Sequence, residues 1–146
     1  MKESRPRTAA FWALRLAIGA LFVLSGLLKL RDPSAFAVEI HNYQLFPGLA
    51  PMMAATLPMI EVVLGAAIVG GTRPWVRAGA LGTLGLMVVF TVAVASVVLR
   101  DINISCGCFG AGSGPVTMLT VIRDVALCAA CVAIYALAAP RTAVAT

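Results

Sequence analysis

Charge is what this sequence has least of. Only 12% of its 146 residues are charged, six of them are acidic, and His41 is the one histidine. So few ionisable groups exclude an all-round water-solvated surface, and a lone histidine makes a poor start for a tetrahedral metal centre. No polar stretch is long enough to fold as a separate soluble domain. What is present is apolar: 61% of the residues are hydrophobic and the mean hydropathy is +0.99. Those values belong to a membrane protein. The formal net charge of +5 needs no nucleic-acid partner, because the distribution of basic residues across a bilayer accounts for it.

A hydrocarbon core of about 30 Å requires about 20 mostly apolar residues per helix. Four such windows occur, from Ala9 to Leu28, Leu49 to Gly71, Trp75 to Leu99 and Met118 to Ala139. They predict an all-α, integral membrane four-helix bundle, one domain over residues 9–139, with residues 1–8 and 140–146 as cytoplasmic tails. The first window is too long for a signal-peptide core, and "SGLLKLRDP" offers no small-x-small cleavage site, so it reads as a retained helix. Lys2, Arg5, Arg7, Arg73, Arg77 and Arg141 fall on one side of the bilayer, against Lys29, Arg31, Arg100 and Arg123 on the other. The positive-inside rule then places both termini in the cytoplasm and the loop after the third window outside. In a bacterium that outer side is an oxidising compartment.

That loop reads "ISCGCFGAGSG". A disulfide between Cys106 and Cys108 needs a bent chain, which Gly107 permits, and the small strained ring would be easily reduced and prone to exchange. Two other readings stay open. The pair is packed at a helix end without redox work, or it ligates a metal with Glu39 and His41. The glycine run from Gly110 to Gly114 lacks the lysine and preceding strand of a phosphate loop; it reads as a flexible presenter of the thiols, with Pro115 suited to the start of the last helix. Cys128 and Cys131, in "CAAC", fall midway along the fourth window. Hydrocarbon burial makes a thiol inert, so these small residues read as helix-packing positions, with electron relay from the loop as the functional alternative.

Arg15 and Glu61 lie inside windows one and two. At about 1.5 Å per residue their depths differ by a few ångströms, which predicts a buried ion pair. The alternatives are a proton-handling Glu61 or a quinone site. Arg123 and Asp124, one turn inside the outer face, are placed to orient the cysteine loop. In the first outer loop, Asp32 and Pro33 start a short interfacial helix in which Phe36, Ile40 and Tyr43 share a face. His41 on that helix is a candidate base for a nearby thiol.

Taken together, "RLAIGALFVLSGLLKLRDPSAF", "YQLFP", "LPMIEVVLGAAIVGG" and "CGCFG" resemble the MauE branch of the DoxX-like membrane proteins. The resemblance covers about Arg15 to Asp124. It implies a redox-associated protein of the bacterial inner membrane, associated with methylamine utilisation. The expected partner is an exported disulfide-containing protein, such as the small subunit of methylamine dehydrogenase, or a thioredoxin-like periplasmic protein. The wider family includes quinone-linked enzymes, which implies quinone as a candidate cofactor; no other cofactor and no metal is expected. The sequence therefore supports a thiol-disulfide oxidoreductase using Cys106 and Cys108, with a non-enzymatic membrane scaffold as the competing class.

Overall fold

The computed structural model describes residues 5–106 and 114–139. Five α-helices occur among them: α1 (Arg5–Arg31), α2 (Pro33–Asn42), α3 (Ala50–Gly70), α4 (Arg73–Leu99) and α5 (Met118–Leu137), with a single 3-10 turn at Pro47–Leu49. Strands are absent from the described residues; one isolated bridge pairs Ser105 with Pro115. α1, α3, α4 and α5 are long and apolar enough to cross a membrane, and α2 is the short helix in the first connection. The protein is an all-α bundle with four membrane-spanning helices.

Local chemistry sets the helix ends. Asp32 caps α2, its carboxylate accepting from the Ala35 N–H at 2.9 Å and the Ser34 hydroxyl at 2.6 Å, while Pro33 fills the first turn, where no N–H is needed. These bonds, the Ser34 hydroxyl first, hold the Asp32 carboxyl below its usual range. Gln44 and Asp101 take left-handed conformations, φ 54° and 56°, shortly after α2 and α4 stop. The last helix starts later than Pro115 suggests. Thr117 precedes α5 and donates its N–H to Thr120 Oγ1 at 3.2 Å, leaving Pro115 in the bridge to Ser105.

α3 lies between α1 and α4, α5 packs along α4, and α5 also reaches α1. Glycines set the α1–α3 approach. A Cβ on Gly26 would lie 2.6 Å from the Pro58 carbonyl oxygen, and one on Gly65 would lie 2.7 Å from the Gly19 carbonyl oxygen. Backbones this close gain van der Waals contact that lipid cannot replace. The sealed centre contains Phe22, Ile68, Val76, Ala80, Cys131 and Ile134, whereas Leu24, Val63, Val89, Val92 and Leu119 point outward, as lipid-facing side chains do. Cys131 is fully buried within this core; Cys128 is half-buried, with its sulfur 3.9 Å from the Thr91 hydroxyl.

The glycine register overturns the expected Arg15–Glu61 pair. Gly19 meets Gly65 and Val69, and Gly26 meets Pro58 and Val62, so Glu61 comes level with Ser25. Ser25 lies ten residues beyond Arg15 (25 − 15), about 15 Å along the helix. Arg15 instead donates to the carbonyl oxygens of Ile68, Val69 and Gly71 at the end of α3, the Val69 bond being 3.0 Å. Its guanidinium also lies 4.6 Å from the Trp12 ring centroid. The arginine thus satisfies helix-end acceptors at the end of the bundle away from α2.

Candidate functional site

Glu61 is neutralised by a lysine that the apolar windows leave outside the membrane. α1 continues through Lys29 to Arg31, and Lys29 sits one turn beyond Ser25 on the same face. Lys29 Nζ is 2.6 Å from Glu61 Oε1, with side-chain exposures of 2% and 1%, and the Ser25 hydroxyl donates to Glu61 Oε2 at 3.1 Å. Phe36 of α2 and Phe90 of α4 place their rings 5.0 and 5.2 Å from the same ammonium. Desolvation of two charges is costly, and the carboxylate, hydroxyl and ring faces together offset it.

This ion pair is part of the wall of a cavity of about 460 Å³, which residues of α2 and Cys106 also line. Cys106 is 7% exposed. Its N–H donates to the Gly114 carbonyl at 3.1 Å and Val116 N–H donates to the Ile104 carbonyl at 2.9 Å, so the cysteine stands beside the bridge between Ser105 and Pro115. The Tyr43 hydroxyl donates to the Cys106 carbonyl at 2.7 Å, and Arg100 donates to the Tyr43 carbonyl at 2.7 Å. These contacts tie α2 and the end of α4 to the loop.

On α5, Arg123 bridges two groups. Its guanidinium donates to Asp124 Oδ1 at 2.8 and 3.1 Å, and Nη2 reaches Cys106 Sγ at 3.5 Å. A guanidinium beside sulfur is a cationic neighbour of the kind found at reactive thiols, here shared with the Asp124 carboxylate. Asp124 is 1% exposed, and among the described residues its second oxygen, Oδ2, has no hydrogen-bond partner; Glu39 Oε2 is likewise buried without one there. Burial pushes the Glu39 carboxyl up, the neighbouring Cys106 adds to that, and Lys29 opposes both.

The structure thus brings Glu61, Arg123, Asp124 and Cys106 to one cavity and leaves two candidates elsewhere. Arg15 is at the other end of the bundle. His41 is exposed and does not line the cavity, and no cluster of metal-ligating side chains occurs among the described residues. The set of Cys106, Glu39 and His41 is therefore not assembled there. Gly107 and Cys108 lie outside the described residues. Sequence reasoning missed Ser25, Lys29 and Tyr43 as cavity residues. The available signal was the four-residue spacing of Ser25 and Lys29 on an otherwise apolar helix.

Fold and site together define a multi-pass helical membrane protein with a buried ion pair beneath a cysteine-bearing loop. The chain belongs to the MauE family: the family model described as "Methylamine utilisation protein MauE" matches residues 7–138. It is similar to the methylamine utilization protein MauE of Paracoccus denitrificans, with 36% identity over 126 residues, 84% of this chain and 67% of that protein. The protein of the same name from Paracoccus versutus is 34% identical over 104 residues, 69% of this chain and 54% of its own length. No solved structure matches.

Proposed function

We propose that this protein is a thiol-disulfide redox protein of the bacterial inner membrane, supporting disulfide formation or maturation of a periplasmic partner through Cys106 and Cys108. The guanidinium of Arg123 next to Cys106 Sγ carries the reading, because thiol exchange proceeds through the thiolate. In each exchange a thiolate attacks one sulfur of a disulfide, the old S–S bond breaks, and a mixed disulfide forms; the second thiol resolves it. The partner is an exported disulfide-containing or thioredoxin-like protein. The name shared by the Paracoccus relatives points to a place in methylamine utilisation.

Cys106→Ser and Cys108→Ser variants test this. One of the two, the variant that keeps the attacking thiol and lacks the resolving one, is expected to trap an exported protein in a reducible mixed disulfide, while the double variant traps none. The competing reading is a scaffold subunit whose cysteines are structural, favoured by the burial of Cys106 and its backbone bond to Gly114. Its signature is maturation of the partner unchanged in the double variant, with no trapped species.

Topology is a separate expectation. With the termini cytoplasmic and the loop outside, a membrane-impermeant maleimide applied to reduced intact cells labels Cys106 or Cys108. Cys128 and Cys131, inside the helical span, stay unlabelled until denaturation. Loop labelling only after lysis reverses the orientation and removes the periplasmic partner.

A further inference from the structure

One carboxylate in the cavity wall has no partner that accounts for it. Lys29 of α1 is paired with Glu61 of α3, and Arg123 of α5 with Asp124. The Tyr43 hydroxyl donates to the Cys106 carbonyl, and α4 contributes only apolar side chains to this wall. Glu39 of α2 lines the same wall and makes no ion pair among the described residues, where its Oε2 is also buried without a hydrogen-bond partner. A buried acceptor left unmatched costs free energy, so its presence calls for a physical reason.

The helix that carries Glu39 brings it to the thiol. Phe36, Glu39, Ile40 and Tyr43 all line the cavity, and at this spacing Glu39 and Tyr43 lie one turn apart on one face. The Tyr43 hydroxyl reaches the Cys106 carbonyl at 2.7 Å, which holds the cysteine against that face. Burial pushes the Glu39 carboxyl up and the neighbouring Cys106 adds to the rise. A carboxyl above its usual range lies closer to a thiol in proton affinity, the match that efficient proton transfer needs. The other orphaned oxygen, Asp124 Oδ2, is a poorer acceptor, because protonating Asp124 gives up its two charge-assisted bonds from Arg123. Glu39 has no such pairing to lose. His41, the base expected from the sequence, is exposed and outside the cavity.

We propose that Glu39 takes the Cys106 thiol proton and returns it to the departing sulfur during disulfide exchange. The inference rests on the thiol-exchange reading and gives that reaction its proton carrier. Transfer runs directly or through one water in the shared cavity. Cys106 Sγ loses its proton to Glu39 Oε2 and bonds to one sulfur of an incoming disulfide, whose S–S bond breaks. The other sulfur leaves with the bonding electron pair and takes the proton from Glu39, which regenerates the carboxylate. Cys106 is thereby oxidised to the mixed disulfide and the leaving sulfur is reduced to a thiol. Arg123 supplies positive charge 3.5 Å from the same sulfur and cannot accept a proton itself.

The purified full-length Cys108→Ser protein, which keeps Cys106 as the loop's thiol, is treated with two neutral disulfides, and the Cys106 adduct is followed by mass spectrometry. Dithiodipyridine releases a weakly basic thiolate that leaves without a proton, whereas hydroxyethyl disulfide releases a basic alkyl thiolate that leaves better when protonated. Adding Glu39→Gln is expected to raise the ratio of the first rate to the second about tenfold or more. Glu39→Asp, which keeps a carboxyl, restores part of the original ratio. A change in folding or access acts on both reagents alike, so the ratio reports proton delivery. An unchanged ratio in Glu39→Gln, the same ratio in Glu39→Asp as in Glu39→Gln, or no reaction of Cys106 with either disulfide overturns the proposal. Trapped partners with an unchanged ratio defeat this inference alone; a shifted ratio without trapped partners upholds the proton transfer and defeats the exchange reading.

Discussion

Glu61→Gln is expected to lower the yield and thermal stability of the purified protein sharply, because it strands the Lys29 ammonium at 2% exposure. Breaking a buried pair by removing one partner costs about 3 to 5 kcal/mol. That is a large share of the stability of most folded proteins. The compensating substitution is Lys29→Met, which removes the stranded charge and keeps the volume close to that of lysine. In the double variant much of the lost stability returns, as buried ion pairs replaced by apolar groups often break even. Arg15→Gln in the Glu61→Gln background gives no such recovery; it adds a second loss, since the carbonyls of Ile68, Val69 and Gly71 lose their donor. Thermal unfolding of these three variants and the unaltered protein in one detergent measures this. Recovery with Arg15→Gln instead of Lys29→Met defeats the assignment of the pair. A Glu61 variant that folds normally but no longer supports disulfide transfer assigns the carboxylate to the chemistry.

Gly65→Val is the second large effect. Even a methyl at Gly65 would sit 2.7 Å from the Gly19 carbonyl oxygen and 2.9 Å from both the backbone nitrogen and a methyl of Val23. Backbone atoms cannot rotate away, so α1 and α3 must separate. Overpacking commonly costs about 1 to 3 kcal/mol, and here it also pulls Ser25 and Lys29 away from Glu61, because the same helix pair carries both contacts. Gly85→Ala in α4 is the control, since nothing lies within 4 Å of the added carbon. That variant should be neutral or slightly stabilised, as alanine is a better helix former than glycine by up to about 1 kcal/mol. Similar stability for Gly65→Val and Gly85→Ala would remove the close helix approach as a determinant of the fold.

The spans were legible because each meets the same one-dimensional condition: a run of side chains long and apolar enough for hydrocarbon. α2 was legible for a local reason too, since Asp32 and Pro33 are start signals that need only their neighbours. Cys106 stands out by its spacing from Cys108 and the glycines around it. Lys29 was not legible as an intramembrane residue. By composition it closes an apolar run, and a window scan assigns such a lysine to water. Only a carboxylate from another helix, with a hydroxyl one turn away, keeps that charge inside the protein.

The sequence by itself therefore determined the class, the four spans, the short first-loop helix and the family resemblance, because hydropathy and local capping depend on residues near one another in the chain. Tertiary structure alone decided which charges pair. The register between α1 and α3 is set where Gly19, Gly26 and Gly65 let two backbones touch, and a shift of a few residues there would change every partner along the interface. The packing of α2 and α5 around Cys106 likewise decided that Glu39 and Asp124 line one cavity and His41 does not. Proximity of that kind arises from contacts between side chains distant in sequence, and no periodicity within a single helix encodes it.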